Sequence, residues 1–109
     1  MKEIKFRVYQ KDTKTYLNSG HDIAILSLPA NWRDYVILEQ YTGLKDKKRN
    51  NAEVFQGDIY KWCGLTFPIT IDDFHGYRFM FGKDQLCRAV IENGIYKGNI
   101  HENPELLKN

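Results

Sequence analysis

The chain is poor in the residues that usually announce a cofactor, a metal or an export route. Cys63 and Cys87 are its two cysteines, with 23 residues between them and no C-x-x-C pair or histidine at zinc spacing, so neither a zinc centre nor a redox motif is expected. Both thiols are expected to be reduced and buried, behaving as small hydrophobes in a reducing cytosol. With four alanines in 109 residues, a helical bundle is disfavoured. No stretch approaches the roughly 20 apolar residues of a membrane span, and the longest apolar runs, Ile23 to Leu28 and Tyr35 to Leu38, are strand-sized. Lys2, Glu3, Lys5 and Arg7 stand where a secretory leader needs an unbroken apolar segment, so export by that route is not expected, and a cytoplasmic location is. No G-x-S-x-G, P-loop or H-E-x-x-H pattern occurs, and no enzyme activity or cofactor is expected. Repeats, low-complexity tracts and linkers are absent too.

Charge is nearly balanced, with 16 Lys plus Arg against 14 Asp plus Glu, which by itself argues for neither nucleic-acid nor membrane binding. Apolar residues make up 42% and charged residues 28%, the balance of a globular chain. The length suits one domain over residues 1–109 with its own core.

What the chain does have is two-residue periodicity. Ile4, Phe6 and Val8 alternate with Lys5, Arg7 and Tyr9, predicting a half-buried strand, followed by a polar turn from Gln10 to Thr15 and a short strand at Tyr16-Leu17 closed by Asn18, Ser19 and Gly20. Ile23 to Leu28 and Tyr35 to Tyr41 are two more strands, joined by a turn at Pro29-Ala30-Asn31-Trp32. Thr42 to Ala52 lacks an apolar period and is rich in charge, so it reads as a surface loop. Gly57-Asp58 is a turn into a strand from Ile59 to Cys63, and Leu65 to Ile71 and Tyr77 to Phe81 extend the β pattern. Asp84 to Gly94 fits either a helix capped by Asp84 or a further strand. Asn103-Pro104-Glu105 predicts one closing helical turn that lays Leu106 and Leu107 against the barrel. The fold expected is mainly β: a small, partly closed antiparallel barrel, SH3-like or a pseudo-barrel, of about seven short strands with one or two short helices.

Three segments carry a resemblance. Gln40-Tyr41-Thr42-Gly43-Leu44-Lys45-Asp46-Lys47 with Phe55-Gln56-Gly57-Asp58-Ile59, the opening Glu3-Ile4-Lys5-Phe6-Arg7-Val8, and the closing Gly98-Asn99-Ile100-His101-Glu102-Asn103-Pro104-Glu105-Leu106-Leu107 together resemble the YopX-like family of phage and prophage proteins. Two departures are local: Arg49-Asn50-Asn51-Ala52 stands where the family has a glycine-containing turn, and Gln56 replaces a glutamate. The resemblance implies carriage by phages or prophages of Gram-positive bacteria and a small β-barrel with no recognised catalytic motif. It transfers Gln40, Tyr41, Thr42, Gly43, Leu44, Gly57, Asp58, Asn99, Asn103 and Pro104 as architecture and no active site.

Several constellations are weighed against plainer roles. Asp72, Asp73 and His75 could ligate a metal, but acids and glycine gather in turns for backbone reasons, and no metal is expected. His21-Asp22 and His101-Glu102 are neighbours that point to opposite faces of a strand, so neither forms an acid/base pair without help from elsewhere in the chain. Cys87, beside Arg88, suits a structural thiol better than a nucleophile. Fifteen aromatic residues are many for so small a core, and some are expected at the surface. There they would form the apolar centre of an interface between proteins, most simply between copies of this chain or with another phage or host protein. The alternative is nucleic acid, with Lys45, Lys47, Lys48, Arg49 and Lys61 on phosphates and exposed rings stacking on bases.

Overall fold

The computed structural model describes residues 5–16, 30–74 and 78–107. Nine strands lie among them, in two antiparallel sheets that curl into a half-barrel. The first sheet has the order β2-β1-β3-β4, from β1 (Phe6–Gln10), β2 (Thr15–Tyr16), β3 (Val36–Asp46) and β4 (Ala52–Phe55). The second has the order β8-β7-β6-β5-β9, from β5 (Asp58–Trp62), β6 (Leu65–Asp72), β7 (Arg78–Phe81), β8 (Asp84–Gln85) and β9 (Ile95–Asn99). One short helix, α1 (Arg88–Asn93), buries Val90 and Ile91 against Val54, Tyr60, Ile69 and Phe81, and these six residues form one cluster of the core, to which Val8, Tyr9, Tyr41, Phe55 and Ile59 also belong. The mainly β, partly closed barrel read from the sequence is what the chain forms.

The segment read as a loop from Thr42 to Ala52 is mostly strand. β3 runs eleven residues to Asp46, followed by a 3₁₀ turn (Lys47–Arg49) and β4. A bulge between Tyr41 and Lys45 shifts the register, so that Tyr41 faces Phe55 while Lys45 faces Glu53. Gly43, at φ +87°, supplies the left-handed residue such an irregularity uses. At the tip, Asn50 and Asn51 take φ of +57° and +61°. Asparagine is the side chain that best tolerates this region after glycine, so the two asparagines do the work of the family's glycine turn.

Between Asp84 and Gly94 the two readings of the sequence both hold in part. Asp84–Gln85 is strand, and the helix begins after it with Cys87, not Asp84, at its N-cap. The closing turn also forms, as a 3₁₀ segment (Pro104–Leu107) with the Leu106 N–H donating to Asn103 O at 3.1 Å. Its leucines stay 37% and 40% exposed, so they cover the barrel less fully than expected. Both cysteines are free and exposed, against the expectation of burial. Cys63 sits with Gly64 in the two-residue loop between Trp62 and Leu65, both at positive φ, a geometry that fixes them at a hairpin tip away from the core. No helix among the described residues is long and apolar enough to cross a membrane. The strand expected at Ile23 to Leu28, the end of the one at Tyr16-Leu17 and the pair His21-Asp22 lie outside the described residues.

Candidate functional site

Two buried polar clusters sit toward opposite ends of β3. The first begins with Arg7 and Glu39, register partners across β1 and β3, whose side chains therefore share a face of the sheet. Arg7 Nε donates to Glu39 Oε1 at 2.7 Å, the Tyr16 hydroxyl donates to the same oxygen at 2.8 Å, and His101 Nε2 lies 3.1 Å from Glu39 Oε2. The second sheet contributes Asp58, the first residue of β5, whose Oδ1 is 2.9 Å from Arg7 Nη2 and whose Oδ2 accepts the Phe55 N–H at 2.9 Å. The Arg7–Asp58 contact is a close ion pair that lacks hydrogen-bond alignment, since Oδ1 is buried with no hydrogen-bond partner among the described residues. Rings enclose the group. His101 stacks on Tyr9 at 4.0 Å and 10°, and the Arg7 guanidinium lies over Tyr16 at 4.5 Å and Phe55 at 4.9 Å.

This cluster depends on a missing side chain. Gly57, at φ +93°, would place a Cβ 2.2 Å from Glu39 Oε2, so only glycine lets the carboxylate approach. Asn99, opposite Asp58 in the β5–β9 register, positions His101: its Oδ1 accepts the N–H of His101 at 3.0 Å and of Glu102 at 2.9 Å. Asn103 in turn accepts the Asn99 N–H at 3.2 Å, packed where Gly98 leaves room. The resembling residues Gly57, Asp58, Asn99 and Asn103 thus converge on one seam between the sheets, while Pro104 is exposed at the start of the closing 3₁₀ turn. Electrostatically the seam is short of cations, with one guanidinium for two carboxylates. Burial pushes the Asp58 carboxyl above the ordinary range although Arg7 pulls it down, and burial likewise raises the Tyr16 hydroxyl.

The second cluster is built around Asp46, also 1% exposed. Tyr60 donates its hydroxyl to Asp46 Oδ2 at 2.7 Å, the Lys48 N–H donates to Oδ1 at 3.0 Å and Arg49 Nε to Oδ2 at 3.3 Å. Arg49 also donates to the Tyr60 hydroxyl at 3.0 Å and stacks over Tyr96 at 3.6 Å. Lys48 Nζ reaches the last carbonyls of α1, those of Ile91 and of Glu92, the latter at 3.0 Å, where a cation satisfies orphan acceptors. Burial works against ionisation of Asp46, but the bonds from Tyr60, Lys48 and Arg49 outweigh it and hold the carboxyl below its ordinary range.

The residues named for nucleic acid are therefore divided. Lys48 and Arg49 are engaged internally, Lys45 and Lys47 are exposed beside them, and Lys61 lies on β5, opposite Thr66 and Ile95. Gln40 and Tyr41 serve the backbone: Gln40 exchanges bonds with Gln56, and the Tyr41 N–H donates to Lys5 O at 2.7 Å. Thr42 Oγ1 ties β4 to the bulge, donating to Val54 O at 2.7 Å and accepting the Leu44 N–H at 3.1 Å. Asp72 and Asp73 stand at the end of β6 with Asp72 accepting the Phe74 N–H at 3.0 Å, while His75 lies outside the described residues. Sequence reasoning missed Arg7, Tyr16 and Glu39 as a group, and it left His101 without the distant partner that Glu39 supplies. The available signal was a charge in the middle of each of two strands.

Outside both clusters an open cleft of about 730 Å³ runs between the bulge of β3 and the β7–β8 hairpin. Thr42, Gly43 and Leu44 form one wall, Phe79 and Leu86 give it apolar surface, and Arg78 and Arg88 are its charged residues. This is a place where a partner can reach the protein; the Glu39 seam is closed by its own donors.

A family profile described as YopX protein matches residues 20–108. No curated protein matches the sequence. Among solved structures, the crystal structure of protein EF1440 from Enterococcus faecalis is similar at a TM-score of 0.63 and 26% identity, covering 99% of this chain and 100% of that one.

Proposed function

The chain belongs to the YopX family, and from that premise we propose that it is a phage- or prophage-encoded accessory protein that acts without catalysis, in the cytoplasm of a bacterial host, by binding protein and most simply itself. One observation carries this reading: large apolar side chains lie open on the surface, Tyr35, Leu65, Phe74 and Ile95 each more than half exposed, and a cleft with an apolar wall is open as well. Interfaces between proteins are centred on such residues. The polar groups that could have done chemistry are instead consumed by one another, with Glu39 bonded to Arg7, Tyr16 and His101 and with Asp46 bonded to Tyr60 and Arg49.

Light scattering over a micromolar concentration series tests the reading. A mass that rises with concentration is the expected result, and a strict monomer throughout would remove self-assembly. The nucleic-acid alternative is weakened because Lys48 and Arg49 are turned onto α1 and Asp46. Lys45 and Lys47 alone would give a log-log salt slope near about −2 on duplex DNA. Fluorescence anisotropy with single-stranded and duplex oligonucleotides decides it, and binding tighter than about 10⁻⁴ M with a slope of about −4 would restore the alternative.

A further inference from the structure

The end of β3, the 3₁₀ turn that follows it and α1 enclose a hollow of about 300 Å³. Four of the residues lining it are cations, Lys45, Lys47, Lys48 and Arg88, against two carboxylates, Asp46 and Glu92. The excess is +2, as large as the formal charge of the whole chain, +2, yet it is gathered at one place. Like charges brought together repel, and a hollow lined by one sign draws in ions of the other.

These charges are not equally available. Asp46 is buried and bonded to Tyr60, Lys48 and Arg49, so it offers little to a ligand. Lys48 Nζ is held by the carbonyls of Ile91 and Glu92 and lies 3.5 Å from Asp46 Oδ1. Those bonds tie the turn to α1, so the two walls are set before a ligand arrives and less order has to be paid for on binding. Lys45, Lys47 and Arg88 are exposed and make no ion pair among the described residues. Glu53, opposite Lys45 in the β3–β4 ladder, has its carboxylate on Lys5 Nζ at 2.6 Å and leaves Lys45 unneutralised. Three unpaired cations and one exposed acid, Glu92, therefore line one small space beside the aliphatic side chain of Leu44. The volume lies at the lower end of the roughly 300–1,000 Å³ that whole small molecules occupy, which suits a compact ligand, and the excess of positive charge suits a dianion.

We propose that this hollow binds a compact organic phosphate, a phosphate monoester whose dianionic group is held by Lys45, Lys47 and Arg88 and whose carbon part rests on Leu44. Glu92 limits the charge the site accepts, repelling a second phosphate. The proposal goes beyond the reading of the protein as a self-assembling module: the site is complete on one copy, and neither outcome of the light-scattering series touches it.

An NMR titration of the backbone amides of the full chain with phenyl phosphate, at about pH 8 where the monoester carries its second charge, tests the site. Shifts should centre on Leu44 to Lys48 and Arg88 to Glu92, with a Kd on the order of 0.1–1 mM at low salt. Phenyl sulfate, the same ring with one charge, should bind roughly tenfold more weakly, and inorganic phosphate, without the ring, about threefold more weakly. Lys47→Ser and Arg88→Ser replace exposed side chains, so melting temperatures should stay at the wild-type value while each weakens binding roughly tenfold. Glu92→Gln removes the acid and should tighten binding by about threefold. Lys83→Ser, in the β7–β8 turn and off the hollow, should leave Kd unchanged. A Kd weaker than about 10 mM, or one that Lys47→Ser and Arg88→Ser leave unchanged, overturns the site. Equal weakening by Lys83→Ser would mean attraction to the overall charge alone and overturns it too. Equal affinity for phenyl sulfate would overturn the choice of a dianion, and inorganic phosphate binding as tightly as phenyl phosphate would overturn the organic part.

Discussion

The two buried clusters share β3 and β5 but are assembled differently. Glu39, in the first half of the strand, gathers partners from residues 7, 16 and 101, so its bonds close only when three distant segments have met. Asp46, at the strand's end, finds Lys48 and Arg49 within three residues and goes far along the chain only for Tyr60. The charge balance is reversed as well. Glu39 and Asp58 share one guanidinium in direct contact, with Arg49 acting on Asp58 only from a distance, whereas Asp46 touches both an arginine and a lysine. A long-range seam short of cations holds the sheets together but has no reserve, and a local cluster rich in them can lose one and stay paired.

The largest effect should expose that lack of reserve. Arg7→Met removes the single guanidinium and leaves two buried carboxylates facing each other's field, which is expected to cost about 3–5 kcal/mol in urea unfolding. Arg49→Met leaves Asp46 with Tyr60 and the Lys48 N–H, and a loss of about 1–2 kcal/mol is expected. Equal losses would break the comparison.

Gly57→Ala tests the same seam by crowding instead of deletion. The added Cβ at 2.2 Å from Glu39 Oε2, on a backbone at φ +93°, should cost about 2–3 kcal/mol by thermal or chemical denaturation. Relief by a second change, Glu39→Ala, would show that the carboxylate is what the methyl group meets.

Acid titration should then separate the carboxylates by sign. Asp58 is raised above 3.8, so the folded state holds its proton more tightly than the unfolded chain, and its contribution falls as pH rises from about 3.8 through the folded value. Asp46 is lowered below 3.8, so its contribution is complete above that value and is lost as pH falls through the folded one. Asp58→Asn should flatten the stability curve on the upper side of 3.8 and Asp46→Asn on the lower side. Circular dichroism melts across the acid range read both slopes, and slopes changing on the same side would contradict the assignment.

The smallest expected change is at Lys48, whose side chain is 46% exposed. Lys48→Met withdraws a cation from the end of a six-residue helix, and a loss of about 0.5 kcal/mol is expected, visible as a small shift of the urea midpoint.

The same contrast governs what was legible in the sequence. Strand β1, the turn at Gly57-Asp58 and the closing turn at Pro104 were readable because each depends on neighbours: alternation, positive φ, a fixed proline angle. Asp46 was hidden in a run of lysines that reads as solvated, although it is 1% exposed, because Tyr60 lies fourteen residues away and hydrogen bonding at that distance leaves no local pattern. Glu39 was masked in the same way, placed by alternation on the side opposite Leu38 and then buried by a guanidinium thirty-two residues earlier. The cysteines failed for a different reason. Average burial preferences put a thiol inside, but the two-residue hairpin loop decides the exposure of Cys63, and Cys87 stands outside the core at the N-cap of α1.

The register shift at Gly43 bears on how such a chain tolerates change by descent. Because pairing restarts beyond the bulge, with Lys45 opposite Glu53, the hairpin tip keeps its own count of residues. An inserted or deleted codon between Lys47 and Asn51 would disturb the bonds of Lys48 and Arg49 to Asp46, yet Glu39 would still meet Arg7 across the untouched β1–β3 ladder. The bulge works as an expansion joint: a disturbance at the tip is taken up by the Asp46 cluster and stops short of the seam behind it.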